Sequence, residues 1–167
     1  IDLGEGTSNF AVFTNGNTNI EASRSINKGY GSVLSSVVTN LRNTPLAFDS
    51  RKSLADFLLK KDVLPAQKNA QVSVQRYVDE EKKIFLREIM KEFTNIFRKV
   101  GLRTEVIYVY GGGSSPMKEI LNPALIDAVT LSDDNALPVV YMSADYSRDL
   151  NRNGLYDVAV LGSKKSS

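Results

Sequence analysis

A chain of 167 residues with 21 basic and 19 acidic side chains, a net charge of +2 and 42% hydrophobic residues fits one globular domain or one lobe of a larger fold, with no charge excess to draw nucleic acid or an acidic membrane. Cys and His are both absent, which excludes disulfides, thiolate chemistry, Ser-His-Asp and Cys-His catalysis, His-bound zinc and a His pH switch. Chemistry is left to carboxylates, hydroxyls, Lys, backbone dipoles and a bound divalent cation; no apolar run approaches a membrane span, and the lack of Cys makes the cytoplasm the expected location.

In chain order, Ile1-Asp2-Leu3-Gly4-Glu5-Gly6-Thr7 reads as a short strand entering a glycine bend, and Ser8-Asn9-Phe10-Ala11-Val12-Phe13 as a second strand. Residues 1–27 read as a β-meander, with Asn15-Gly16-Asn17 turning between strands at 10–14 and 18–26. Asn27-Lys28-Gly29-Tyr30-Gly31-Ser32 breaks the last strand. Ser32 is the expected cap of a helix over 33–41, where Val33, Leu34, Val37, Val38 and Leu41 share a face, and Asn43-Thr44-Pro45 stops it. A short helix is predicted over 51–60, apolar at Leu54, Phe57 and Leu58, and then a linker over 65–70.

The longest predicted element spans 72–100, because Val78, Phe85, Ile89, Phe93, Ile96 and Val100 recur at helical spacing. Its other face carries Asp79, Glu80, Glu81, Lys82, Lys83, Arg87 and Lys91 and reads as solvated. Gly101 is the expected C-cap, with Arg98 and Lys99 complementing the helix dipole. A buried strand at 105–110 runs into Gly111-Gly112-Gly113-Ser114-Ser115-Pro116. There Ser115 is the expected N-cap and Pro116 the first residue of a helix continuing over 117–121. Tyr108 and Tyr110 read as core rather than as a base-stacking platform. A strand at 137–142, a helix at 154–161 and a disordered tail at 163–167 complete the chain. Strands first, then helices alternating with strands, indicate an α/β fold with a mixed sheet.

Two strand-to-glycine turns carry the chemical signal, at residues 2–7 and 108–114. Each alone is an ordinary turn. Together on one sheet they would embrace a nucleotide, one holding phosphates and the other letting backbone approach a purine and ribose where any Cβ would intrude. Neither is a Walker A loop or a G-x-G-x-x-G fingerprint.

These residues resemble a family. Ile1-Asp2-Leu3-Gly4-Glu5-Gly6-Thr7 is similar to the second phosphate motif of the actin-like ATPases, which include actin, heat-shock chaperone ATPases, sugar kinases and bacterial actins, and Val109-Tyr110-Gly111-Gly112-Gly113-Ser114-Ser115 is similar to their adenosine motif. The stretch Asp79-Glu80-Glu81-Lys82-Lys83-Ile84 and the closing segment from Asp149 to Gly162 resemble the plasmid-segregation actins of the ParM/StbA group. The resemblance implies a ribonuclease-H-like lobe with a mixed sheet, flanking helices and a small helical insertion. Residues 1–43 and 96–162 would form the nucleotide-binding core, 44–95 the insertion and 163–167 the tail.

The resemblance also implies ATP and Mg²⁺ as ligands. Asp2 would hold Mg²⁺ through water. Gly4, Glu5, Gly6 and Thr7 would clamp the β- and γ-phosphates, with the Thr7 hydroxyl assisting. Gly111, Gly112 and Gly113 would lie beside adenosine, Ser114 and Met117 at its rim, and Glu80, Glu81 and Lys83 against the ribose or base. Glu5 stands where many relatives have Gly, and a carboxylate there repels a triphosphate unless it faces metal or solvent.

The partners implied are a preceding N-terminal lobe with the other phosphate loop, further copies in a filament, and plasmid DNA through an adaptor, with no membrane. The parent would be an ATPase and the isolated lobe inactive. The alternatives are a sugar or acid kinase, a chaperone ATPase, or a Ca²⁺-binding module built on Asp149-x-Asn151-x-Asn153-Gly154. In that last loop Val160 stands where a bidentate Glu is needed, so a polar loop capping the last helix is the better reading.

Overall fold

The computed structural model describes residues 1–130 and 137–142. At its centre β1 (Asp2–Leu3) pairs antiparallel with β2 (Ser8–Phe10), and β2 pairs antiparallel with β5 (Arg24–Ile26). On the other side of β1 lies β6 (Ile107–Val109), running parallel to it. Leu3 N donates to Tyr110 O at 2.8 Å and Tyr110 N to Ile1 O at 2.9 Å. Beyond it β7 (Val139–Tyr141) pairs parallel with β6, giving the spatial order β5-β2-β1-β6-β7. The short β1 therefore joins an antiparallel half to a parallel half.

The turn at Asn15-Gly16 joins β3 (Phe13–Thr14) to β4 (Asn17–Thr18), with φ of 50° and 77° at its two central residues, as a type I′ hairpin requires. The strand predicted over 18–26 is interrupted. Asn19 turns the chain: its side-chain oxygen accepts from Ala22 N at 3.1 Å and its carbonyl from Ser23 N at 3.0 Å. An Asx-type turn offers these amides a local acceptor that competes with the ladder.

The described residues form four helices, α1 (Tyr30–Leu41), α2 (Arg51–Leu59), α3 (Pro65–Val100) and α4 (Ser114–Val129), and α2 packs against α1 and α3. Three boundaries differ from the sequence reading, each for a local reason. Helix α1 starts two residues before Ser32. Its first amides are satisfied by loop carbonyls, Tyr30 N to Gly4 O and Gly31 N to Glu5 O, both at 2.9 Å, while Ser32 Oγ donates to Gly29 O. The segment 65–70 is helix rather than linker, because Pro65 occupies the first turn, where its missing N–H is no loss, and Lys68 N reaches Leu64 O at 2.9 Å. Helix α4 starts at Ser114 with Gly113 as N-cap, so Ser115 and Pro116 lie inside its first turn. It continues past Leu121 through Pro123, which sits on the exposed side, where the carbonyl left without its amide can turn to water.

Gly101 follows α3 but stays right-handed at φ −52° and leads into a 3₁₀ turn, Gly101–Arg103, so the helix tightens instead of reversing. The predicted boundary at 95/96 falls inside the unbroken α3. The first half of α3 binds α2, with Gln71 Nε2 donating to Phe57 O and Lys60 O at 2.6 and 2.9 Å. Further along, α3 meets the α1 region through Asn40 Nδ2 to Glu81 Oε1 at 3.0 Å and a Lys28–Glu88 ion pair.

Alternating strand residues face the helices. Leu3, Phe10, Ile107 and Val109 join Val33, Val37, Leu41, Leu54, Val74, Val78, Ile89, Met117, Leu121 and Leu125 in one continuous buried cluster. Tyr108, read as core, points to the opposite face and is 46% exposed, since the strand's period of two puts Ile107 and Val109 inward. The predicted helix at 154–161, the tail at 163–167 and the Asp149–Gly154 loop lie outside the described residues. Among the described residues no helix is long and apolar enough to cross a membrane.

Ile89 is fully buried where α3 crosses this cluster. Ile89→Ala is expected to lower unfolding free energy by about 2–5 kcal/mol through lost transfer energy and a residual cavity, measured by urea denaturation.

Candidate functional site

The first glycine turn is a tight corner. Gly4 N donates to Thr7 O at 2.9 Å, leaving Glu5 and Gly6 at the apex. Because Gly4 O and Glu5 O accept from the first amides of α1, the loop is fastened to that helix from behind. The amides of Glu5, Gly6 and Thr7 have no acceptor among the described residues, and all three residues are exposed. Successive outward amides in a bend make an anion-binding concavity.

The second turn packs directly on the first. Gly113 N donates to Leu3 O at 2.7 Å, and the Ser114 amide and hydroxyl both donate to Gly111 O, at 3.0 and 2.7 Å. Gly111 has φ +93°, and a Cβ there would stand 2.5 Å from both Asp2 Oδ1 and Leu3 O. Only glycine permits that handedness and that approach. A Cβ at Gly112 would meet nothing within 4 Å. Helix α4 begins here without a side-chain cap, so the positive end of its dipole adds to the same region.

Asp2 is half-buried beside the second turn. Burial pushes its carboxyl above the ordinary 3.8, opposed by a hydrogen bond from the Asn9 side chain. Asn9 is itself held by Ser25 Oγ at 2.6 Å. Tyr110 is pushed up as well, first by burial and then by the nearby Asp2 charge. Among the described residues no three His, Cys, Asp or Glu side chains form a metal cluster. One half-buried carboxylate against the Gly111 turn fits Mg²⁺, which keeps its waters and binds through one or two carboxylates plus phosphate oxygens.

The structure thus brings together Asp2, Gly4, Glu5, Gly6, Thr7, Gly111, Gly112 and Gly113. Ser114 and Met117, expected at the rim, are 4% and 0% exposed, and the Ser114 hydroxyl holds Gly111 O from within the turn. Glu80 and Lys83 are exposed on α3, and Glu81 is engaged by Asn40. None of these three makes a hydrogen bond or ion pair to either glycine turn among the described residues.

Two residues were missed. Tyr30 packs under Gly113, where a Cβ would lie 2.8 Å from Tyr30 Cβ. Arg51, the first residue of α2, pairs with Glu5 at 2.9 Å. The only sequence signal for Arg51 was an isolated carboxylate in a phosphate-type loop that lacked a counter-charge. A larger groove of about 1280 Å³, between the β3–β4 hairpin, the end of α3 and Tyr108, includes none of residues 4–7 or 111–113.

A mixed sheet with two glycine turns in contact at neighbouring strands defines an actin-like α/β lobe. The chain belongs to the archaeal MreB-like actin homologues, whose C-terminal domain model matches residues 1–123. It is similar in fold to the crystal structure of Ta0583, an archaeal actin homologue, with TM-score 0.64 and 16% identity for the native data, covering 95% of this chain and 46% of that one. For the selenomethionine data the values are 0.61 and 13%, covering 87% and 42%. The chain therefore spans just under half the length of that relative. No curated protein matches it.

Gly111→Ala is expected to destabilise the fold by about 2 kcal/mol or more, through the left-handed φ and the collision with β1, whereas Gly112→Ala stays within about 0.5 kcal/mol; thermal melts of both variants check this. Asp2 gives a pH signature. Its raised carboxyl means that the ionised form costs stability, a cost absent below the ordinary 3.8 and complete once pH has risen past the folded value. Asp2→Asn is therefore expected to melt higher than the parent at neutral pH in chelator, with the gain shrinking towards pH 3.

Proposed function

We propose that this chain is the C-terminal lobe of an actin-like ATPase that closes on Mg-ATP against a preceding N-terminal lobe, and that the whole protein assembles into filaments. The observation that carries the reading is the contact between the two glycine turns through Leu3 O, with Asp2 alongside. The outward amides of Glu5, Gly6 and Thr7 would hold the β- and γ-phosphates, and the Thr7 hydroxyl would join them. Gly111, Gly112 and Gly113 would lie along adenosine, with Glu80 and Lys83 the α3 side chains available to the ribose or base. Asp2 would hold the metal through water, and a cation beside it favours the ionised carboxylate. When bound, Mg²⁺ neutralises charge on the β- and γ-phosphates. Phosphoryl transfer needs mostly positioning and electrostatics, which suits a site without His or Cys.

The strand order β5-β2-β1-β6-β7 supports a ribonuclease-H-like core at 1–43 and 96–162, with 44–95 as its helical insertion. The lobe by itself would lack the residues that place the attacking water. The match to archaeal actin homologues favours a cytoskeletal role over a kinase or a chaperone. Within that role, segregation of plasmid DNA through an adaptor rests on the ParM-like stretch at 79–84.

Calorimetry on the full-length protein is expected to show Mg-ATP binding, weakened at least about tenfold by Asp2→Ala. Light scattering and pelleting should report nucleotide-dependent assembly. Binding without assembly under any nucleotide would remove the filament and keep the ATPase lobe. Absence of nucleotide binding would remove both.

A further inference from the structure

We infer that Arg51 is a phosphate-exchangeable link. It is paired with Glu5 when the phosphate loop is empty, transfers to a phosphate of the nucleotide when the loop is filled, and so couples occupancy to helix α2. This rests on the nucleotide reading of the 4–7 loop and adds a residue and a regulation to it.

Three observations carry the inference. Arg51 Nη1 lies 2.9 Å from Glu5 Oε1, and Glu5 stands at the loop apex beside amides that lack a protein acceptor. The guanidinium reaches there across Gly31. A Cβ at that buried position would collide with Arg51 Nη1 and lie 2.7 Å from Glu5 Cγ and 2.8 Å from Glu5 O. The glycine leaves the channel through which an α2 side chain crosses α1. Finally, Arg51 is anchored at its own end. Ser50 and Ser53 cap the helix start reciprocally, Ser53 N to Ser50 Oγ and Ser50 N to Ser53 Oγ, both at 3.1 Å, so the backbone that carries Arg51 is fixed at the first turn of α2.

The chemistry favours exchange. The ion pair is exposed, with side chains 47% and 74% accessible, so solvent screens it and a competing anion can reach it. A phosphate carries more charge than a carboxylate and offers the planar guanidinium a bidentate partner. The same phosphate repels Glu5, so one event removes the old partner and supplies the new one. The carboxylate that looked incompatible with a triphosphate becomes a placeholder for it.

The test uses the full-length protein with Mg-ATP. Arg51→Gln is expected to weaken Mg-ATP binding by about tenfold or more, Arg51→Lys to recover part of that loss, and Glu5→Gln to tighten binding severalfold by freeing Arg51 and removing the repulsion. Hydrogen exchange of the 51–59 amides should change on adding Mg-ATP to the parent and not to Arg51→Gln. If Arg51→Gln lowers the melting temperature but leaves Mg-ATP affinity within twofold, Arg51 is a structural tether and the inference is overturned. Should Arg51→Gln not fold, Glu5→Gln decides, since unchanged or weaker binding contradicts a placeholder. A parent that binds no Mg-ATP fails the nucleotide reading itself, a result distinct from a parent that binds and is indifferent to Arg51.

Discussion

The backbone of Leu3 holds the two halves of this lobe together. Its amide donates to Tyr110 O and its carbonyl accepts from Gly113 N, so both polar groups of one residue serve the neighbouring parallel strand and the turn that follows it. Its side chain meanwhile is fully buried in the core. A strand of two residues could not hold this position through ladder bonds alone. Fixing it from both sides seats Gly111 and Gly113 against β1, just ahead of the 4–7 turn, and allows no side chain at Gly111.

Helix α1 is the second constraint. Its first amides bind the carbonyls of Gly4 and Glu5, while the amides of Glu5, Gly6 and Thr7 in the same loop have no acceptor among the described residues. A loop whose carbonyls are tied down and whose amides are open is polarised towards anions before any ligand arrives, which is the preorganisation that electrostatic binding requires. The attachment continues through α1 to α3 and, by way of Gly31 and Arg51, to α2. The helices outside the sheet are thus wired to the loop and not merely stacked behind it.

Asp2 is a half-buried carboxylate that folding does not favour. Burial opposes its ionised form, so the carboxylate is a liability to the empty lobe, partly relieved by Asn9. Glu5 illustrates another solution, an exposed acid given an exposed Arg partner.

Much of this was legible in the sequence because it depends on local rules. The period of the apolar residues on α1 and α3 marked the faces that are buried, Asn15-Gly16 marked the I′ hairpin, and glycines placed after strands marked both turns. The misreadings were also local competitions. Ser32 and Ser115 are good caps by type, but backbone carbonyls and Gly113 took that role because the chain enters those helices from a loop already fixed elsewhere. Pro65 looked like a break and was a helix start. By itself, then, the sequence determined the buried faces of α1 and α3, the Asn15-Gly16 hairpin and the two glycine turns, since propensity and periodicity act over a few neighbours, while the helix over 65–70 and the outward side of Tyr108 escaped it. Only the tertiary structure decided that Leu3 O accepts from Gly113 N, that Met117 is fully buried, and that Arg51 reaches Glu5 across Gly31. Those contacts join residues distant in the chain, and their existence depends on strand order and helix placement, which no local pattern encodes.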